Sequence, residues 1–167
     1  MILPDLLADG LDLVLCGTAP SDASKAAGAY YAHPGNLFWA TLHQVGLTPV
    51  RLAPAEYPRL LAFGIGLTDL NKTEWGADSA LSRAAFDVAG FEAKIRRHAP
   101  RLVAFDSKFA ARVYYGRRQV AYGPQPEPAG GRPAFVVPST SGRARGFFDL
   151  EPWRALARAV AEGAAPC

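Results

Sequence analysis

LDLVLCGTAPSDASKAAGAYYAHPGNLFW, residues 11–39, carries most of the information in this chain. Its first six residues, Leu11 to Cys16, are almost continuously apolar and short, the pattern of a buried parallel strand. Gly17-Thr18-Ala19-Pro20 then breaks the strand into a turn. Pro34 and Gly35 precede an amphipathic helix expected over residues 36–45, with Phe38, Leu42 and Val45 at helical spacing and Gly46 as its stop. Small and polar residues thus follow the carboxyl end of a strand, where open α/β sheets bind ligands. Tyr30 and Tyr31 come within reach of the same crevice, so the stretch predicts a pocket for a flat polar ring.

The pattern continues outward. Residues 50–52 are expected as a short strand and 54–62 as a helix limited by Pro54 and Pro58. Gly64-Ile65-Gly66-Leu67-Thr68-Asp69-Leu70 reads as a turn and a second strand at the pocket edge, and 72–79 as irregular polar chain. A long helix is predicted over 82–98, closed by Pro100, then an apolar strand over 101–105 and a helix over 107–115 closed by Gly116. Residues 117–122 are expected as a strand, and 134–137 as the last core strand. Between them, 123–133 holds four of the 14 prolines and is expected as loop. A terminal helix is predicted over 152–162. Strands alternating with helices, without repeat or linker, predict a three-layer α/β/α sandwich on a mainly parallel central sheet, forming one domain over residues 1–167.

Half of the 167 residues are hydrophobic, and the formal net charge is +3 with a sequence pI near 9.0. That balance permits a nucleic-acid partner without demanding one. No apolar run approaches the roughly 20 residues of a bilayer span. The first ten residues hold two acids and no basic n-region, so no signal peptide is expected and a cytoplasmic location follows. Two cysteines, Cys16 and Cys167, are too few for an iron–sulfur cluster or a cysteine-only zinc site. Cys16, at the end of a buried strand, reads as an inert core thiol. His33, His43 and His98 are far apart and lack acids at metal-ligand spacing, so no metal is expected.

A second polar turn follows the last predicted strand: Pro138-Ser139-Thr140-Ser141-Gly142-Arg143-Ala144-Arg145. Alone, its basic end is an ordinary solvated turn. Together, the two segments resemble the uracil-DNA glycosylase superfamily, and most of all its mismatch-specific branch, the uracil/thymine mismatch glycosylases. Those enzymes have an apolar strand, then G-I-N-P-G, then F-A-H-P-x-N-x-F-W; this chain has Gly17-Thr18-Ala19-Pro20-Ser21 and Tyr31-Ala32-His33-Pro34-Gly35-Asn36-Leu37-Phe38-Trp39. Their second motif, L-P-N-P-S-G-L-S-R, is matched by Pro138, Ser141, Gly142 and Arg145.

The resemblance implies a monomeric, cofactor-free enzyme of base excision repair that acts on uracil-containing DNA. Such an enzyme flips uracil out of the stack, because a stacked base cannot be reached, and hydrolyses its N-glycosidic bond to leave an abasic site. Tyr31 takes the position on which the flipped ring stacks. Gly17, Ala19 and Asn36 fall in the substrate-binding segment. Ser141, Gly142, Arg143 and Arg145 fall in the loop that enters the minor groove, with Arg143 at the wedge position in place of leucine. Lys25 is the only lysine near the first motif, and the lack of a clear Schiff-base lysine implies a monofunctional enzyme.

The first motif departs from the family where chemistry matters most. Relatives hold the attacking water with Asp or Asn at the third position, or Glu at the second; here these are Ala19 and Thr18. The second motif's usual His or Asn is Ser139. Three readings stay open: activity is lost and the chain only binds uracil or abasic DNA; another acid holds the water, Asp69 in a segment resembling G-x-T-N/K-L/M or else Asp22; or Thr18, Ser139 and backbone groups suffice. A third function class, a small-ligand α/β domain, is permitted by the crevice alone. His33 is expected to brace its loop. Lys108 is expected either to support the site or to face solvent, and Arg96, Arg97, Arg117 and Arg118 are candidates for phosphate contact.

Overall fold

A computed structural model describes residues 1–164, without the side chains of Arg145, Phe147 and Ala164. Cys167 and the Arg145 side chain therefore lie outside the described residues. The elements are β1 (Leu13–Gly17), α1 (Asp22–Ala27), α2 (Phe38–Gln44), a 3-10 stretch (Pro54–Phe63), β2 (Ile65–Asp69), α3 (Val88–His98), β3 (Leu102–Phe105), α4 (Lys108–Tyr115), β4 (Gly123–Pro124), β5 (Ala134–Val136), a 3-10 turn (Gly142–Phe147) and α5 (Glu151–Ala164).

The sheet order is β2-β1-β3-β5-β4. β1 pairs in parallel with β2 and β3, and β3 with β5; only β4, at the edge, runs antiparallel. After β2 the chain crosses to the far side of β1, so the strand order reverses at β1. A crevice opens at the carboxyl ends of the strands on either side of such a switch point.

Alternation along each strand divides the core between the two faces of the sheet. Leu13 and Leu15 point into a cluster with Ile65, Leu67, Phe38, Trp39, Leu60 and Trp153, which seats α2, the 54–63 stretch and α5. Val14 and Cys16 point the other way, against Val103, Phe105, Phe91, Ile95 and Ala110, which seats α3 and α4. This is the three-layer α/β/α arrangement expected above. Each large side chain so buried contributes about 1.5–3 kcal/mol.

Several expected boundaries move, for identifiable reasons. Residues 50–52 form no strand: Pro49 and Pro54 bracket them, and Arg51 and Val50 face solvent. The helix expected from 82 starts only at Val88, because the Asp87 side chain accepts from Gly90 N–H and caps it there; a short 3-10 turn, Arg83–Ala85, precedes it. Residues 117–122 form no strand. Gly116 ends α4 in the left-handed conformation, and pairing with β5 begins instead at Gly123, within the stretch expected to be all loop. Residues 54–63 are helical but of the tighter 3-10 type. α2 starts at Phe38 rather than 36, and α1 adds to the expected elements: Ser21 caps it and Gly28 closes it.

Candidate active site

β1 ends in Gly17, whose ladder partner is Asp69, the last residue of β2. On its other flank Cys16 pairs with Phe105, so Asp106 stands beside Gly17 there, its N–H donating to Cys16 O at 3.0 Å. In-register residues of parallel strands share a face, so both carboxylates rise on the side where Gly17 contributes no side chain. A Cβ on Gly17 would lie 2.7 Å from Asp69 Oδ1, 3.0 Å from Asp106 Oδ2 and 3.3 Å from the Tyr31 hydroxyl. The missing side chain leaves the space into which these three groups converge.

Both carboxylates are almost fully buried, Asp69 at 5% and Asp106 at 9% exposure. Burial, which disfavours the charged form, raises Asp69 to about 7; Asp5 adds to the rise, while Lys72 and Lys94 oppose it. Burial likewise raises Asp106 to about 7, opposed by the hydrogen bond from Tyr31 and reinforced by Asp69 and Asp78. Asp69 Oδ2 is buried without a hydrogen-bond partner among the described residues. Asp5 meanwhile collects Lys72 at 2.9 Å, Lys94 at 2.6 Å and the Thr68 hydroxyl at 2.7 Å, tying the amino-terminal segment to the outer side of β2.

Tyr31 spans the two motifs' common cavity. Its hydroxyl donates to Asp106 Oδ2, and its ring stacks on Phe38 with centroids 3.7 Å apart and planes 10° from parallel. Its φ of 51° is a left-handed conformation rare for an aromatic residue, which the contacts at both ends of the side chain hold in place. One ring face is taken by Phe38, and the residue lines a cavity of about 1060 Å³. The same cavity is lined by Gly17, Thr18, Ala19, Asn36 and Asp69 and, from the second motif, Ser139, Ser141, Gly142 and Arg143. Leu37 N–H donates to Thr140 O at 2.8 Å, so the two motif loops are joined directly by a backbone hydrogen bond.

The individual roles differ from residue to residue. The Thr18 hydroxyl donates to Asp78 Oδ1 at 2.8 Å, clasping the first-motif loop to the 3-10 turn Asp78–Ala80. Ala19 contributes only a methyl group. Asn36 Oδ1 accepts from Phe38 N–H at 2.9 Å and so starts α2. Ser139 accepts from Ser141 N–H and donates to its hydroxyl, both at 3.2 Å, bracing the second loop. Gly142 and Arg143 open the exposed 3-10 turn. His33 accepts from Gly35 N–H through Nδ1 at 2.9 Å, which suits a loop brace.

Asp22, exposed in the first turn of α1, also lines this cavity. Lys108 Nζ stands 4.3 Å from the ring centroid of Tyr122. Arg117 is paired with Glu127 at 2.9 Å and covers the Tyr115 ring. Arg96 and Arg97 stand in the last turn of α3, a favourable place for cations. Lys25 lies 3.6 Å over the ring of Trp75, and no lysine lines the cavity among the described residues. No group of three or more potential metal ligands occurs among the described residues. No helix there is long and apolar enough to cross a membrane.

Asp106 and Asp78 are the site residues that sequence reasoning missed. A signal for Asp106 is present: an acid directly after the apolar run Leu102–Phe105 and directly before Ser107, which caps α4 by accepting from Ala110 N–H. That is the same strand-end position that Asp69 occupies.

The arrangement is a polar cleft at the switch point of a parallel sheet, floored by two buried carboxylates and walled by an aromatic ring. A solution NMR structure of a proposed uracil DNA glycosylase from Methanosarcina acetivorans is similar to it: TM-score 0.69 and 25% identity, covering 95% of this chain and 96% of that one. A sequence model described as the uracil DNA glycosylase superfamily matches residues 4–159, a span that includes both motif loops and both strand-end carboxylates. The chain therefore belongs to the uracil DNA glycosylase superfamily.

Proposed function

We propose that this chain is a monofunctional uracil-DNA glycosylase of the mismatch-specific type, acting as a monomer and one domain over residues 1–167. It flips uracil from DNA and hydrolyses the N-glycosidic bond to leave an abasic site. The observation that supports this best is the meeting of the two motif loops with Tyr31 and Asp69 around one cavity of about 1060 Å³, ample for a pyrimidine nucleotide.

In this reading the flipped ring stacks against Tyr31 on the side away from Phe38, with Asn36 and the backbone at Gly17 and Ala19 around its polar edge. Arg143, exposed on the second loop beside Ser141, Gly142 and Arg145, fills the gap left in the duplex. Bond cleavage puts cationic character on the sugar and negative charge on the base. Groups on the cavity floor meet both: an anion stabilises the first and a proton donor the second. Asp69 is the catalytic residue on that floor, standing in for the polar group absent at Ala19, while Thr18 and Ser139 hold the two loops around it.

The test is an oligonucleotide with one uracil, incubated with the protein and then treated with alkali. A strand break at the uracil is the expected result. Tight binding without a break would instead establish a uracil-binding protein, and neither binding nor cleavage would leave the small-ligand reading.

A further inference from the structure

Asp106 has no place in the motif reading, yet it shares the floor of the cavity with Asp69. Resting on the glycosylase reading above, we propose that Asp69 and Asp106 act as one acid–base unit holding a single proton. Asp106 is the anion that takes a proton from the attacking water, and Asp69 is the proton-bearing partner that passes one to the departing base.

Geometry carries the assignment. The two side chains stand on strands either side of Gly17, on one face of the sheet. Asp69 Oδ1 and Asp106 Oδ2 approach a common point, 2.7 and 3.0 Å from where a Cβ on Gly17 would stand. Two carboxylates this close in a buried cleft resist ionising together, and they titrate as a pair. Their surroundings divide the roles. Tyr31 donates to Asp106 Oδ2, which favours negative charge there. Asp69 Oδ2 is buried with no hydrogen-bond partner among the described residues, so an ionised Asp69 has no donor at that oxygen, only the longer-range pull of Lys72 and Lys94, whereas Asp106 has Tyr31; of the two, Asp69 is the one that keeps the proton.

The charged and titratable groups around the unit are few. Asp5, Lys72 and Lys94 act on Asp69 from its outer side. Asp78 acts on Asp106 from the neighbouring turn. Cys16, one residue before Gly17, is held as a neutral thiol by burial. Asp22, Tyr30, His33 and Arg143 line the same cavity.

The step balances. The C1′–N bond breaks and its electron pair goes to the base. The water oxygen bonds to C1′, and the water's proton goes to Asp106. The unit then holds two protons, and Asp69 gives its own to the anionic base. The unit ends with one proton, as it began. A general acid or base of this kind typically contributes about 10²–10⁴-fold.

Single-turnover cleavage of single-uracil DNA, followed from about pH 5 to about pH 9 for wild type, Asp69→Asn, Asp106→Asn and Tyr31→Phe, tests the proposal. Carboxyl-carbon NMR titration of the free wild-type protein accompanies it. The wild type is expected to give a bell-shaped profile and a two-step titration with one proton kept across neutrality. Asp106→Asn should be slower by about 10²–10⁴-fold and lose the acidic limb, and Asp69→Asn should lose the alkaline limb. Tyr31→Phe should move the acidic limb to higher pH, because Asp106 loses its donor. An Asp106→Asn protein that cleaves at the wild-type rate, or more slowly with the wild-type acidic limb, would overturn the proposal and leave Asp106 as an anchor for Tyr31. Independent ionisation of both carboxyls at ordinary values would overturn the pair alone. A wild type that cuts no uracil DNA would overturn the underlying glycosylase reading.

Discussion

Gly17 and Asp69 are ladder partners with no room for a side chain between them: a Cβ on Gly17 would stand 2.7 Å from Asp69 Oδ1 and 3.0 Å from Asp106 Oδ2. Gly17 does not need glycine's backbone freedom here; it needs the absence of a methyl group. Gly17→Ala must push both carboxylates off their positions, and overpacking of this kind costs about 1–3 kcal/mol. The expected outcome is a folded but less stable protein whose single-turnover rate falls by at least about 10²-fold, since small misplacements of reacting groups cost that much. Urea denaturation beside cleavage kinetics checks both halves. A variant with wild-type rate would show that the carboxylates do not work at that spot.

Tyr31 is stacked on Phe38 along one face and anchored through its hydroxyl at Asp106. If the other face receives the flipped base, Tyr31→Ala should lose about 1–3 kcal/mol of binding to uracil DNA and much less to undamaged DNA. Tyr31→Phe keeps the stack and should bind nearly as wild type does. Fluorescence anisotropy with matched oligonucleotides reads the difference, and equal loss on both DNAs would remove Tyr31 as a base platform.

What is legible in the sequence depends on how local the cause is. Leu11 to Cys16 and residues 101–105 read as strands because burial on both faces writes an apolar run. The 107–115 helix is legible because Ser107 and Gly116 are its physical ends. Periodicity extends the 82–98 helix too far back because one side chain, Asp87, decides where it begins, and periodicity does not register a single cap. Residues 117–122 have a strand-like composition but no partner to pair with, and pairing is not a local property. The site divides in the same way. Tyr31 and Asp69 sit in recognisable segments. Asp106 becomes visible only when the sheet order sets β3 beside β1, and the Thr18–Asp78 clasp joins residues 60 positions apart.

Arg143 is exposed at the start of the 3-10 turn that closes the second loop, and it lines the cavity mouth. As a wedge it would hold open a duplex after the base has left the stack, a task that single-stranded substrate does not set. Arg143→Ala should therefore slow cleavage of double-stranded uracil DNA by about 10-fold or more, the equivalent of at least ~1.4 kcal/mol of stacking compensation. Single-stranded cleavage should be close to unchanged. Equal rates for the variant and the wild type on both substrates would leave Arg143 as an ordinary surface residue.

The buried carboxylates also make stability depend on pH, with a sign that can be worked out. Asp69 has its folded value raised from 3.8 to about 7 by burial. Below the lower value both folded and unfolded chains hold the proton, and this group does not disfavour folding. Between the two values the unfolded chain has released its proton while the folded chain still holds it, so stability falls as pH rises through that window and levels off above about 7. Asp69→Asn keeps the shape and removes the titration. From pH ~5 to pH ~8 the variant should therefore gain about 1–3 kcal/mol relative to wild type, at about 1.4 kcal/mol for each tenfold difference in proton affinity between folded and unfolded chains and with the total shared with Asp106. In melting temperature that is about 2–4 °C for each kcal/mol in a chain of this size. The same variant should lose most of its cleavage activity, because the desolvation that weakens the fold is what keeps a proton available at neutral pH. Thermal melts of wild type and Asp69→Asn across that range decide it: parallel curves would mean that Asp69 titrates normally, and would remove the physical basis for its catalytic role.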